Sequence, residues 1–355
     1  MGKISYAIIG SGWRSLYYIR IAQALPEQFE VKGMLVRSQE KVDRFSKEYG
    51  IFVTMNQEEL LATKPDFVVV AVNRASNKDI CVELMKKGVP VFAETPPADT
   101  PEDLNEIWKV KQEYNGRILV AEQYFLYPTY DAKLRIAKEG YLGDIQNVTL
   151  SALHEYHGMS IIRLFLNAGF ANAKITAKKY TYPIAVTQNR AGVLQKGEVA
   201  DTSRIRAELE FDNGTVGFYD FCGVQYHTYV RSRQLNVQGV RGEIDDDTVL
   251  YLSEENDPMI EKLTPANDGI RPGIEAIAFA GKAMYRNPFP TNVMPEDETA
   301  IARLLVGMKE YLEGGEEIYP FAYAMQDAYL AVLLKEAVNT GKTVTSSYQA
   351  WSGQQ

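Results

Sequence analysis

The chain has 355 residues, 46% of them hydrophobic and 24% charged, with a formal net charge of −8 and a pI near 5.2. That length suits two domains, each able to bury a core. The acidic balance speaks against nucleic acid or an anionic membrane as the main partner, since both require a basic face. Only two cysteines occur, Cys81 and Cys222, without paired or metal-type spacing. No apolar run approaches the roughly 20 residues of a membrane helix, and the run at Ile4–Ile9 is strand-length rather than a signal-peptide core. A cytoplasmic protein with reduced thiols is expected.

Ile4–Ile9 is a β-favouring run that breaks at Gly10-Ser11-Gly12, and Trp13–Ala24 then reads as a helix. A strand turning through close glycines into a helix makes an anion site, and its usual occupant is a dinucleotide pyrophosphate. Gly10 permits the tight turn, Gly12 lets phosphate approach a backbone without a Cβ, and Ser15 stands where the fingerprint has its third glycine. Strands at Glu30–Val36, Phe67–Val72, Val89–Ala93 and Arg117–Ala121 alternate with helices at Gln39–Tyr49, Asn77–Lys87 and Pro101–Tyr114. Asp66-Phe67-Val68-Val69-Val70-Ala71-Val72 is apolar throughout, as a central parallel strand covered on both faces requires. Thr100-Pro101-Glu102-Asp103 is a helix start, with a cap, proline at the first helical position and acids at the positive dipole end. This alternation predicts a doubly wound sheet.

Beyond residue 122 the pattern changes. A helix at Pro128–Lys138 is followed by strands at Ile145–Leu153, Ala173–Tyr180, Ser203–Phe211, Thr215–Phe221, Val230–Val237 and Val249–Leu252, with Asp212-Asn213-Gly214 as a hairpin turn. Tyr226 to Arg231 alternates as a strand would. Helices are expected at Gly273–Tyr285, Asp297–Leu312 and Phe321–Asn339. Asp245-Asp246-Asp247 reads as a solvated turn rather than a cation loop.

The end of the second strand distinguishes NAD from NADP. NAD binders place an acid there for the ribose hydroxyls. Here the strand ends Leu35-Val36-Arg37-Ser38, with no acid before Glu40. A guanidinium pairs with a 2′-phosphate and a hydroxyl adds a hydrogen bond. NADP is therefore favoured over NAD, with Arg14 at the glycine turn as a second charge.

Three further segments carry a family signature. They are Gly88-Val89-Pro90-Val91-Phe92-Ala93-Glu94-Thr95-Pro96-Pro97-Ala98, Val120-Ala121-Glu122-Gln123-Tyr124-Phe125-Leu126-Tyr127-Pro128, and Gly140-Tyr141-Leu142-Gly143-Asp144-Ile145. In that order after the glycine turn, the chain resembles the Gfo/Idh/MocA oxidoreductases over nearly its whole length. The resemblance implies an α/β chain: a Rossmann dinucleotide-binding domain over 1–122, then an α+β domain over 123–355 with an open, mainly antiparallel sheet for substrate binding and oligomerisation. It also implies a sugar-like small-molecule substrate and a homodimer or homotetramer. The candidate cofactor-binding residues are Gly10, Gly12, Trp13, Arg14, Arg37, Ser38, Asn73, Asn77, Glu94 and Gln123.

Two departures from the family pattern bear on chemistry. Glu94-Thr95-Pro96 stands where the family reads Glu-Lys-Pro, and a threonine hydroxyl does not ionise near neutrality. The family's acid four residues before its catalytic histidine falls on Leu153, whereas His157 keeps the histidine position. Histidine titrates near working pH, which makes His157 the first candidate for proton transfer. His154 and Tyr124 are the other two. His154-x-x-His157 has no third ligand at suitable spacing, so no metal site is expected.

These features point to hydride transfer between nicotinamide and a sugar, polyol or related hydroxy compound. Two alternatives stand beside it. One is a glycosidase that retains NAD and works by transient oxidation and elimination, since such relatives also replace the lysine. The other is a dinucleotide or sugar sensor without turnover.

Overall fold

The computed structural model describes residues 2–267, 273–289 and 294–353. Strand and helix alternate through its first third: β1 (Ile4–Ile9), α1 (Ser15–Ala24), β2 (Phe29–Leu35), α2 (Gln39–Tyr49), β3 (Val53–Thr54), α3 (Gln57–Ala62), β4 (Phe67–Val70), α4 (Arg74–Lys86), β5 (Val91–Ala93), α5 (Pro101–Glu113) and β6 (Ile118–Val120). There follow α6 (Pro128–Lys138), β7 (Ile145–Ser151), α7 (Glu155–Leu166), β8 (Ala173–Asn189), β9 (Gly192–Phe211), β10 (Val216–Cys222), β11 (Gln234–Gly239), β12 (Gly242–Asp245), β13 (Thr248–Leu252) and β14 (Pro258–Lys262). The chain ends with β15 (Thr264–Ala266), β16 (Ala276–Phe279), β17 (Lys282–Arg286), α8 (Glu296–Leu312), α9 (Phe321–Thr340) and β18 (Val344–Thr345).

The first unit holds six parallel strands in the order β3-β2-β1-β4-β5-β6. Chain order reverses between β1 and β4, so a crevice opens at the carboxyl ends of those two strands. Phe67, Val68, Val69 and Val70 of β4 are all 0% exposed, which matches their uninterrupted apolar run. Each such side chain contributes about 1.5–3 kcal/mol on burial. Tyr6 stacks on Phe67 at 5.8 Å and donates its hydroxyl to the carbonyl of Tyr18 at 2.7 Å, so its polar end is satisfied inside the core. The unit also takes in Asn267–Glu275 and Asn287–Ala328, and α8 lies in it, burying Ile301, Leu304, Leu305 and Met308 in the Rossmann core. The two units are thus not the contiguous segments 1–122 and 123–355.

The second unit is built on a nine-stranded sheet, β14-β13-β12-β11-β7-β10-β9-β8-β18. Its described pairs are antiparallel except β7 with β10. Helix α7 packs on β7 and β10 through close backbone approach. A Cβ on Gly158 would stand 2.5 Å from the Tyr219 ring, and one on Gly217 would stand 2.6 Å from Ile162. These two glycines let helix and sheet interlock, which fixes the first turn of α7.

Two sequence expectations are corrected here. The segment Gly273–Tyr285 is not a helix but contributes the hairpin β16–β17, turning at Ala280 (φ 49°) and Gly281 (φ 71°). Ile277 and Phe279 are buried at period two, and Phe279 lies against the rings of Tyr141 and Tyr251. Tertiary packing thus overrides the helical propensity of its alanines. Residues 226–231 are not strand either. Gln225 N–H donates to the Cys222 carbonyl and His227 N–H to that of Val224, so the chain turns, and β11 starts only at Gln234. The side chain of Gln225 holds this loop, donating from Nε2 to Ser151 O at 2.7 Å and Ser232 O at 2.6 Å. The strand expected to end at Tyr180 runs on to Asn189, paired with a β9 that starts at Gly192. The acidic turn Asp245-Asp246-Asp247 joins β12 to β13, with Asp246 at φ 48°. Cys81 and Cys222 are buried free thiols, and burial pushes the Cys81 thiol pKa up.

Candidate active site

In the first unit a cleft of about 730 Å³ opens at the carboxyl ends of β1, β2 and β4. Its floor is the glycine turn. Gly10 has φ +125°, and a Cβ there would stand 2.0 Å from the Ala71 carbonyl oxygen, so only glycine fits. Gly12 is the opposite case, with no atom within 4 Å of a Cβ position. One glycine lets two strands close, and the other leaves the space a phosphate needs. Ser15 is fully buried, its hydroxyl 3.5 Å from the Ala71 carbonyl, as a small third residue requires.

Beyond the glycine turn the cleft is cationic. Arg37, just after β2, is exposed and has no carboxylate partner among the described residues. Lys41, in the first turn of α2, donates from Nζ to the Ser11 hydroxyl at 2.9 Å and so ties that helix to the glycine turn. Sequence reading passed over Lys41, although its spacing of four from Arg37 across a helix start was visible. Ser38 is the N-cap of α2 but its side chain makes no cap hydrogen bond. Trp13 lines the cleft at 49% exposure, and Asn73 lines it while capping α4, its Oδ1 accepting from Ser76 N–H at 3.1 Å.

Asn77 and Arg14 have other work. Asn77 is 3% exposed, and its Nδ2 donates to the carbonyls of Glu94 at 3.0 Å and Pro96 at 3.1 Å. It anchors the loop after β5 and is not among the residues lining the cleft. Arg14 borders the cleft, but its Nε donates to Glu94 Oε1 at 2.8 Å and its Nη1 to Asp297 Oδ2 at 3.1 Å. Burial opposes its charge, but Glu94 and Asp297 outweigh burial and hold its pKa well above the ordinary value. Its charge is therefore compensated inside the fold, whereas Lys41 reaches the glycine turn through Ser11.

Glu94 also accepts from the Tyr18 hydroxyl, and Gln123 Nε2 donates to Asp297 Oδ1 at 3.3 Å. Burial first, and Glu94 and Asp297 second, raise the pKa values of the Tyr18 and Tyr127 hydroxyls respectively. The Gln123 side-chain carbonyl is buried with no hydrogen-bond partner, an acceptor left at the end of β6. Tyr124 stacks on Tyr127 at 4.8 Å, and its N–H donates to the buried Glu122 carboxylate at 3.0 Å. The structure thus brings Arg14, Glu94, Gln123 and Tyr124 to one end of the sheet. Asp297, which completes the group, carried no local signal because it arrives from α8.

The histidines form a separate group in the second unit. His154 is the N-cap of α7 and His157 lies in its first turn, 6% exposed. Their rings stack at 4.9 Å, only 15° from parallel, and Tyr226 meets His154 edge-on at 5.5 Å. The Tyr226 hydroxyl accepts from His154 N–H at 3.0 Å, and that of Tyr219 accepts from Glu155 N–H at 2.7 Å. The Glu155 carboxylate pairs with Lys335 at 3.0 Å. Among the described residues no three metal-ligating side chains cluster.

A Rossmann sheet with a glycine-floored crevice at its switch point defines a dinucleotide-binding protein. Residues 4–122 match the oxidoreductase family with an NAD-binding Rossmann fold (GFO_IDH_MocA). The family matched over these residues is the one that the sequence motifs resemble. No curated protein matches the chain. Among solved structures, levoglucosan dehydrogenase in complex with NADH and levoglucosan is similar at TM-score 0.69 and 16% identity, covering 97% of this chain and 99% of that one. The apo scyllo-inositol dehydrogenase of Lactobacillus casei is similar at TM-score 0.67 and 14% identity, covering 97% and 98%. Biliverdin reductase of Synechocystis sp. PCC 6803, in complex with biliverdin and NADP+, is similar at TM-score 0.65 and 12% identity, covering 95% and 99%. At these identities the likeness establishes the fold, and such a fold serves substrates as unlike as a sugar and a tetrapyrrole. No described helix is long and apolar enough to cross a membrane.

Proposed function

We propose that this protein is an NADP-preferring oxidoreductase acting on a sugar, polyol or related hydroxy compound. The observation that carries this reading is the pairing of an open Gly12 floor with an uncompensated Arg37 in one cleft. A nicotinamide held there supplies the hydride acceptor or donor. Arg37 and Lys41 take the 2′-phosphate, with Ser38 as a further hydroxyl donor. Gly10 and Gly12 give the pyrophosphate its approach, and the orphaned Gln123 carbonyl accepts from an amide donor. His157 accepts the substrate's hydroxyl proton during oxidation and returns it during reduction, while the stacked His154 ring restricts its orientation. Tyr124 is the second candidate for this proton, at the end of the strand that also carries Gln123. The flat His154, His157 and Tyr226 rings suit the apolar face of a sugar ring.

Two measurements test the proposal. Titration of apo protein should give tighter binding of NADPH than of NADH, and Arg37→Ala should weaken NADPH by about ten- to a hundredfold while leaving NADH nearly unchanged. Equal weakening of both cofactors removes the phosphate role. His157→Ala should retain NADPH binding and lose turnover of polyol substrates followed at the nicotinamide absorbance; near wild-type turnover would move the base to Tyr124. Thr95 in place of the family's lysine supports a second reading, a retained cofactor that cycles during glycoside cleavage. Stoichiometric dinucleotide released from freshly denatured protein, with aglycone liberated and no net absorbance change, would favour it.

A further inference from the structure

We propose that Arg233 reads an acid group on the substrate, so that the substrate is a sugar acid, an aldonate or uronate whose carboxylate pairs with this guanidinium. The inference rests on the oxidoreductase reading above and narrows its substrate class. Arg233 ends the loop that leaves β10 and enters β11. The buried Gln225 side chain fixes the course of that loop. Its Oε1 accepts from Cys222 N–H at 3.1 Å, and its Nε2 donates to Ser151 O at 2.7 Å and Ser232 O at 2.6 Å. Both ends of the loop are thereby held to β7. Tyr226 follows Gln225 and Arg233 follows Ser232, and the two meet. The guanidinium carbon of Arg233 lies over the Tyr226 ring at 5.3 Å, and its Nη2 donates to the Tyr226 carbonyl at 3.3 Å. Tyr226 in turn meets the His154 ring edge-on at 5.5 Å, and its hydroxyl accepts from His154 N–H. One tyrosine thus touches both the histidine pair and a guanidinium.

The charges around this group indicate what the guanidinium meets. No Asp or Glu occurs between Asp220 and Glu243, in a chain that has 46 of them. The arginines of that stretch differ in their partners. Arg241 donates to Ser253 O at 2.8 Å and to the Asn256 side chain, and Arg231 turns its Nη1 back to Val230 O at 2.6 Å. Arg233 is exposed, and among the described residues no carboxylate lies within ion-pair distance of it. Asp246 and Arg233 act in opposite senses on the Tyr130 hydroxyl, but Asp246 spends its Oδ1 on Leu235 N–H at 2.8 Å. A guanidinium laid on an aromatic face keeps its N–H edge turned outward, as a fork that matches a planar carboxylate. A phosphate would bring up to two charges to this one guanidinium, whereas a carboxylate matches it in both charge and shape. The rings of His154, His157 and Tyr226 suit the apolar face of a sugar, and Arg233 suits an acid carried on it. A neutral polyol would leave the fork to water.

The test is calorimetric titration of the whole chain, with NADPH bound, by gluconate, galactonate, glucuronate and galacturonate. Sorbitol, glucose and glucose 6-phosphate are titrated beside them. At least one acid should bind about ten- to a hundredfold more tightly than the neutral compounds and the phosphate. Arg233→Met should remove that advantage. Arg233→Lys, which keeps the charge but not the planar fork, should recover only part of it. NADPH binding by the first unit should be unchanged in both variants, which controls for folding. Turnover with NADP+ separates this inference from the reading beneath it. An acid that binds through Arg233 but is never oxidised keeps the acid site and removes the oxidoreductase reading. Neutral polyols oxidised as well as the acids, with a KM indifferent to Arg233→Met, keep that reading and overturn the acid site. Failure of every acid to bind overturns it too, as does tighter binding of the phosphate.

Discussion

Arg14 and Arg37 border one cleft, but Arg14 is 14% exposed between Glu94 and Asp297, whereas Arg37 is exposed with no carboxylate beside it. The same side chain thus serves opposite ends. A guanidinium compensated inside the fold holds together three segments, the glycine turn, the end of β5 and the start of α8. An uncompensated one at the rim has its charge available for an incoming anion. In a crevice of this kind the partner of each cation, rather than its presence, decides whether it serves structure or ligand.

The contrast can be broken most severely at the two glycines. Gly10→Ala forces a methyl group into the Ala71 carbonyl and should cost more than about 3 kcal/mol, read as a loss of urea midpoint, together with all dinucleotide binding. Gly12→Ala meets nothing and should leave the midpoint unchanged while weakening NADPH, so a large stability loss there would refute the division of labour. Next, Arg14→Met leaves the partly buried Glu94 and Asp297 without their cation and should cost about 1.5–3 kcal/mol. Arg37→Met should stay within about 0.5 kcal/mol of wild type in stability, its whole effect falling on NADPH affinity. Lys41→Met should weaken NADPH less than Arg37→Met does, because Nζ also serves Ser11.

The smallest effect concerns acid. Burial pushes the Asp66 pKa up, but hydrogen bonds from Lys309 and from Ser5 outweigh it and leave it lowered. A lowered native pKa adds stability that is present above the ordinary carboxylate value, near 4, and is lost as pH falls through the native one. Asp66→Asn should therefore cost about 2 kcal/mol at neutral pH, and the difference from wild type should shrink as pH falls below the ordinary carboxylate value. A cost independent of pH would mean that packing, not charge, holds α8 to the first sheet.

Much of the first unit was legible in sequence because its signals are local. A glycine turn between an apolar strand and a helix, an unbroken Phe67–Val70 run and the cap at Thr100 each specify their own neighbourhood. The cleft followed from them, and Arg37 with it. Asp297 did not, since it arrives from a distant helix, and Lys41, four residues after Arg37, shows its contact with the glycine turn only once Nζ reaches Ser11. In the second unit the alanine-rich 273–285 segment read as a helix by propensity, yet Phe279 is drawn into the Tyr141 and Tyr251 rings and a two-residue turn makes it a hairpin. Likewise, the alternation of 226–231 matched a strand, but the bonds of Gln225 turn that stretch into a loop.

The sequence by itself determined the Rossmann frame, the glycine-floored crevice and the candidate cation beyond the second strand. Only the tertiary structure decided that Arg14 is consumed by Glu94 and Asp297, that Asn77 braces a loop, and that His154 and His157 stack as one group. The physical reason lies in range. Backbone turns and hydrophobic periodicity act over a few residues, whereas the partner of a charge or a ring is whatever the fold brings within a few ångströms, from any distance along the chain.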